Sequence, residues 1–257
     1  MKLHVTAIAA VLLIAVGDSA AATPSSQQLL AQAAAGGTSA HLFGLSPARD
    51  STIPAERKEA AGAGHALNII NLFVDWNTSA ATMTSRWKSA SAGGAVPELT
   101  WMPCSFTAGC TPAHNPYPLR DIAAGTYDSY ITSIADAAKA FGAPVIMRFA
   151  HEMNANWYPW GSVNGNTPAQ YIAAWRHVVH IFNARGAANA EWLWTPNKHG
   201  PKSGGSCNLC AWYPGDSYVT FTGVDGYNGP QYSRVWTWPS QCSARHLSSS
   251  RRSPPGR

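Results

Sequence analysis

The chain has 257 residues, 46% of them hydrophobic and only 12% charged, with eleven Trp. That balance excludes a charge-rich disordered chain and suffices for one large α/β barrel or two small domains. The sequence pI of 9.0 points toward nucleic acid until the charge is located. Four of the 18 basic residues (Arg245, Arg251, Arg252, Arg257) lie close to the C-terminus, and without them 14 basic residues face 13 acidic ones. The basic character belongs to the tail, so no nucleic-acid partner is expected.

Residues 1–22 read as a secretory signal. Lys2 opens it, 5–16 is almost wholly apolar, and Ala20-Ala21-Ala22 before Thr23-Pro24 makes a cleavage pattern. The apolar run is too short to span a bilayer, and no later run is long enough, so no membrane partner is expected. The expectation is a secreted protein. In an oxidising compartment, Cys104 with Cys110 and Cys207 with Cys210 read as local disulfides. Cys242 is left over, and a zinc ribbon would need a second C-x-x-C pair.

Residues 23–40 read as a flexible, linker-like leader. Strands are expected at 41–45, 67–76, 95–102, 144–149, 191–194 and 222–227. Helices are expected at 55–61, 79–90, 127–141 and 168–184, with a loop holding Pro112, Pro116 and Pro118. This alternation predicts a parallel sheet with helices outside it. A (β/α)8 TIM barrel has eight strands, and about six are legible between 41 and 240. Residues 241–257 form a basic tail without strand or apolar period. Its Ser, Arg, Pro, Ala and Gly content suggests a frameshift before the barrel is complete; a genuine short protein with a basic tail is the competing expectation.

Chemistry concentrates at 148–161, RFAHEMNANWYPWG, where an apolar strand ends in His, Glu, Asn and aromatics. In a parallel barrel this end of each strand opens onto the active-site face. Glu152 there is a candidate proton donor, and Trp157, Tyr158 and Trp160 are candidate walls for a sugar ring. The alternative is a loop whose Trp side chains simply cap the barrel. His151-Glu152 begins the zincin pattern, but Ala155 stands where its second His is required, so no metal is expected. Neither G-x-S-x-G nor a phosphate-binding loop occurs, and no cofactor is implied.

The same stretch resembles the acid/base segment of glycoside hydrolase family 26, the β-mannanase family. The resemblance continues through WLWTPN at 192–197, WYPGD at 212–216 and GVDGYN at 223–228, and covers roughly 41–230. It implies a secreted (β/α)8 barrel hydrolysing internal β-1,4 links of mannan with retention, related members cutting mixed-linkage β-glucan or β-1,3-xylan. The implied partner is a β-linked plant polysaccharide. By the match Glu152 is the acid/base at the end of strand four, and His151, Asn154, Trp157, Trp160, Tyr227 and Asp225 are substrate-binding or centre-shaping residues.

The family's nucleophile is a Glu at the end of strand seven. The chain's five Glu are Glu56, Glu59, Glu98, Glu152 and Glu191, and none stands in that position. The expectation is a chain that is weak or inactive on its own. A glycan-binding protein without turnover and a basic-tail interaction protein are the alternatives.

Overall fold

A computed structural model describes residues 28, 30–31, 42–47, 50–197 and 209–226. Six strands form one parallel sheet in chain order: β1 (Phe43–Leu45), β2 (Leu67–Asp75), β3 (Val96–Met102), β4 (Val145–Phe149), β5 (Ala190–Trp194) and β6 (Phe221–Thr222). The helices are α1 (Ile53–Gly62), α2 (Ala80–Ser91), α3 (Leu119–Ala123), α4 (Asp128–Phe141) and α5 (Pro168–Arg185). Strands joined in sequence order through outer helices give the curled sheet of a (β/α)8 barrel, with six of its strands among the described residues.

Strand composition follows from burial on both faces. In β3, Leu99 and Trp101 face the helices, while Val96 belongs to the inner cluster with Leu30, Leu42, Ile69, Ile146, Leu193 and Phe221. That inner cluster is the apolar floor of the barrel. Above it the lining turns polar: Asn71, Glu98, Thr100, Arg148 and Thr195 are all buried. Parallel register places Asn71 beside Glu98 and Thr100 beside Arg148. Outside the sheet, Trp87, Trp175 and Phe182 are completely buried against the helix layer.

Local chemistry starts and stops the helices. Ser79 accepts the N–H of Thr82 to start α2, and Thr167 with Gln170 forms a reciprocal capping box on α5. Gly142 and Gly186 end α4 and α5 at φ 75° and 74°, a conformation that glycine adopts without a Cβ penalty.

Several expectations shift. Helix α3 occurs where a loop was expected, with Pro118 at its N-cap, a position that does not interrupt the hydrogen-bond ladder. Strand β6 is shorter than 222–227, and pairing resumes in a parallel bridge between Asn197 and Asp225. Leu30, inside the stretch expected to be a leader without a core face, is 1% exposed and sits in the barrel floor. Cys104 and Cys110 are joined by a disulfide. Residues 1–22, Cys207, Tyr227, Cys242 and the 241–257 tail lie outside the described residues. Among the described residues, no helix is long and apolar enough to cross a membrane.

Candidate active site

Strand β4 ends at Phe149, and the chain then turns sharply. Ala150 and Glu152 take φ values of 44° and 54°, left-handed conformations that non-glycine residues seldom adopt. Such geometry costs of order 1–3 kcal/mol per residue and persists only where surrounding contacts impose it. Here the N–H of Ala150 is held by Trp101 O at 3.1 Å and that of Glu152 by Thr195 O at 2.8 Å. The turn brings the Glu152 side chain over the strand ends.

The Glu152 carboxyl group is gripped on both oxygens. Trp157 Nε1 donates to Oε2 and Asn197 Nδ2 donates to Oε1, each at 2.7 Å. Asn197 is itself fixed by Asn154: its N–H donates to Asn154 Oδ1, and Asn154 Nδ2 donates back to its carbonyl, both at 2.8 Å. Burial first, and then the Asp225 charge, raise the Glu152 pKa against the opposing pull of Asn197, Trp157 and Arg148. A carboxyl group with a raised pKa at a strand mouth can keep a proton to give away.

Arg148 ties the layer beneath together. Its Nε donates to Thr195 Oγ1 at 2.7 Å and its Nη1 to Thr100 Oγ1 at 2.8 Å. Its Nη2 pairs with the Asp225 carboxylate in a short ion pair. Thr100 in turn donates to Asn71 Oδ1 at 2.8 Å. One buried guanidinium thus links β3, β4, the end of β5 and the segment after β6.

His151 is buried between Phe73, Tyr158 and Trp160, with ring centroids 6.1, 4.9 and 5.9 Å away. Burial and the nearby Arg148 charge hold its pKa well below the usual histidine range, so the imidazole is neutral. Trp160 is 1% exposed. It stacks on Tyr158 at 4.5 Å and donates Nε1 to the His151 carbonyl at 2.7 Å. It therefore stands behind the wall as a support. Trp157 is half-buried and keeps part of its surface outward.

Of the residues singled out from sequence, Glu152, Trp157 and Asn154 meet directly or through Asn197, and His151 and Trp160 stand behind them. Asp225 enters through its pairing with Arg148. Asn197, Arg148, Thr195 and Glu98 were not singled out. Asn197 and Thr195 lie in the WLWTPN block, whose position at the C-terminal end of a strand was the available signal. Glu56 and Glu59 lie on α1, Glu98 is inside β3, and Glu191 is near the start of β5. None of the chain's other glutamates therefore stands at a strand mouth with Glu152. Among the described residues, no group of three or more His, Cys, Asp or Glu is placed to hold a metal ion.

A parallel barrel with a carboxyl group of raised pKa at the end of β4, flanked by an indole and an asparagine, fits the architecture of a barrel glycosidase. The chain belongs to glycosyl hydrolase family 26, whose match covers residues 65–244. It is similar to Endoglucanase H of Acetivibrio thermocellus, 35% identical over 181 residues that cover 69% of this chain and 18% of that protein. It is also similar to Mannan endo-1,4-beta-mannosidase A and B of Caldalkalibacillus mannanilyticus, 31% identical over 98 residues, 36% of this chain and 18% of that protein. In fold it resembles the catalytic domain of the Bacillus sp. JAMB-750 endo-beta-1,4-mannanase, with a TM-score of 0.57 and 19% identity, covering 77% of this chain and 59% of that one. The chain thus spans less than a fifth of the length of these two relatives.

Proposed function

We propose that the chain carries the acid/base half of a secreted, retaining endo-β-1,4-mannanase site acting on a β-linked plant polysaccharide. One observation carries the reading: the Glu152 carboxyl group, with its raised pKa, is aimed from the end of β4 by Trp157 and Asn197. In this reading Glu152 gives its proton to the glycosidic oxygen as the C1–O bond breaks. The departing sugar then leaves as a neutral alcohol. Neutral His151 shapes the centre without adding a competing charge, and the outer surface of Trp157 meets the sugar ring.

Retention needs a second carboxylate about 5–5.5 Å from the acid to attack C1. Asp225 is engaged by Arg148, and the remaining glutamates lie elsewhere. The proposal is accordingly that this chain by itself turns over weakly or not at all. The likeness to Endoglucanase H favours a second reading in which the preferred glycan is a β-glucan.

Affinity electrophoresis in gels containing galactomannan, mixed-linkage β-glucan or β-1,3-xylan tests the substrate. Retardation strongest in mannan supports the mannanase reading. Retardation strongest in β-glucan transfers the proposal to the second reading, and none in any gel removes the glycan site.

A further inference from the structure

The loop following β3 is braced more heavily than its sequence suggests. The Cys104–Cys110 disulfide closes it. Asp75, at the end of β2, accepts the N–H of Phe106 on Oδ2 at 2.8 Å, while its Oδ1 accepts from Asn77 N and Thr78 Oγ1. Asn77 Nδ2 donates to Ser105 Oγ at 2.8 Å, Tyr117 donates to Asn77 Oδ1 at 2.7 Å, and Trp76 N donates to Cys104 O at 3.2 Å. A buried carboxylate therefore fixes the backbone at Phe106 itself. Yet the Phe106 ring is 48% exposed.

That exposure contrasts with its surroundings. Just inside the same loops, Trp76 packs against Trp101, Tyr117, Tyr127, Tyr130 and Phe149. Among the described residues the other exposed large hydrophobic side chain is Phe43, and its ring is covered by His65 at 5.0 Å. Among the described residues no aromatic ring packs against Phe106, and Thr107, which follows it and shares a hydrogen bond with Ser105 Oγ, and Thr111 of the same loop are exposed hydroxyl-bearing residues. The loop stands on the catalytic face. It follows the strand paired with β4, and Asn164 of the acid/base loop donates to Pro112 O at 3.0 Å. Neighbouring strands lie about 4.8 Å apart, so the mouth of β3, from which this loop departs, is one strand away from the mouth of β4.

We propose that Phe106 is a stacking platform for a sugar unit distant from the scissile bond, extending the cleft across the ends of β2 and β3. The ligand class is a neutral β-linked oligosaccharide, whose C–H face packs on the ring while Thr107 and Thr111 offer hydroxyls to its rim. Rigid bracing serves this use, because a platform fixed in advance loses little freedom on binding. The inference rests on reading the cleft as a polysaccharide site.

Calorimetry on the full chain with mannohexaose, cellohexaose and mannobiose tests it, comparing the parent with Phe106→Ala and Phe106→Trp. The expected result is a roughly tenfold weaker binding of the preferred hexaose by Phe106→Ala. Mannobiose binding should stay unchanged, and Phe106→Trp should restore the hexaose affinity. Near-identical hexaose affinity in parent and Phe106→Ala overturns the platform and leaves the acid/base reading standing. No binding of any of the three by the parent overturns both. Equal weakening for biose and hexaose in both variants overturns the platform in favour of a role in holding the loop.

Discussion

Trp157 donates its indole N–H to Glu152 Oε2 at 2.7 Å across a single turn of chain. The side chain proposed as a wall for the sugar therefore also tunes the Glu152 carboxyl group. A hydrogen bond to the carboxylate favours the charged form and lowers its pKa, partly offsetting burial. Asn197 does the same on the other oxygen.

Trp157→Phe keeps an aromatic wall and deletes the donor. Glu152 should then hold its proton to higher pH than in the parent. Any acid-dependent step, present below the Glu152 pKa and lost as pH rises through it, should extend upward with it. With five glutamates in the chain, carbon-13 labelling at Cδ resolves the titration directly. An unchanged Glu152 midpoint in the variant contradicts this coupling.

Glu98 makes the strongest claim about pH and stability. It is 0% exposed, with both carboxyl oxygens lacking a hydrogen-bond partner among the described residues. Burial raises its pKa to about 7, opposed by Arg148 and aided by Asp225. For a raised carboxyl group the folded state binds more protons than the unfolded one. Stability from this group is therefore complete below the unfolded value near 4.5 and declines as pH rises to about 7. The loss amounts to about 3 kcal/mol if the full shift is expressed. His151, held neutral, acts in the opposite direction, so the informative quantity is the difference between parent and Glu98→Gln. Urea unfolding from pH 4.5 to 7.5 should show that difference shifting in favour of Glu98→Gln as pH rises. A pH-independent difference contradicts the assignment.

Arg148→Met should be among the most destabilising single changes on the catalytic side of the barrel. It strands the Asp225 carboxylate and removes donors from Thr100 and Thr195. Breaking one side of a buried pair typically costs about 3–5 kcal/mol. Adding Asp225→Asn should recover part of that loss in urea unfolding. An additive double variant would show that the pair is not coupled.

Much of the scaffold was legible because its signals are local. The apolar run of β2 and the helical stretch read at 168–184 lie in short stretches of sequence. The secretory signal read at 1–22 and the basic tail remain expectations, since they lie outside the described residues. What escaped notice depends on distance. Nothing in the sequence links Asn197 to Glu152 across 45 positions. Likewise, nothing says that a strand reading as apolar would turn Glu98 inward beside Asn71. Leu30 reads as linker because the Leu29-Leu30 pair stands alone among Ala, Gln and Ser, yet one leucine is enough to reach a floor made by other strands. The left-handed turn at Ala150 and Glu152 carries no glycine to announce it. Tertiary hydrogen bonds impose it.

The central claim is that Glu152 supplies the proton while the attacking carboxylate is missing from this chain. Azide can stand in for that carboxylate, forming a C1–N bond as the C1–O bond breaks. The decisive measurement is glycosyl azide formation by the parent and Glu152→Gln on two substrates, mannohexaose and 2,4-dinitrophenyl β-mannobioside. The dinitrophenolate departs without a proton, so both proteins should cleave that substrate when azide is added. Mannohexaose needs the proton, and Glu152→Gln should be slower than the parent by roughly 10²–10⁴-fold. Equal loss on both substrates, or no azide rescue in the parent, would contradict the account.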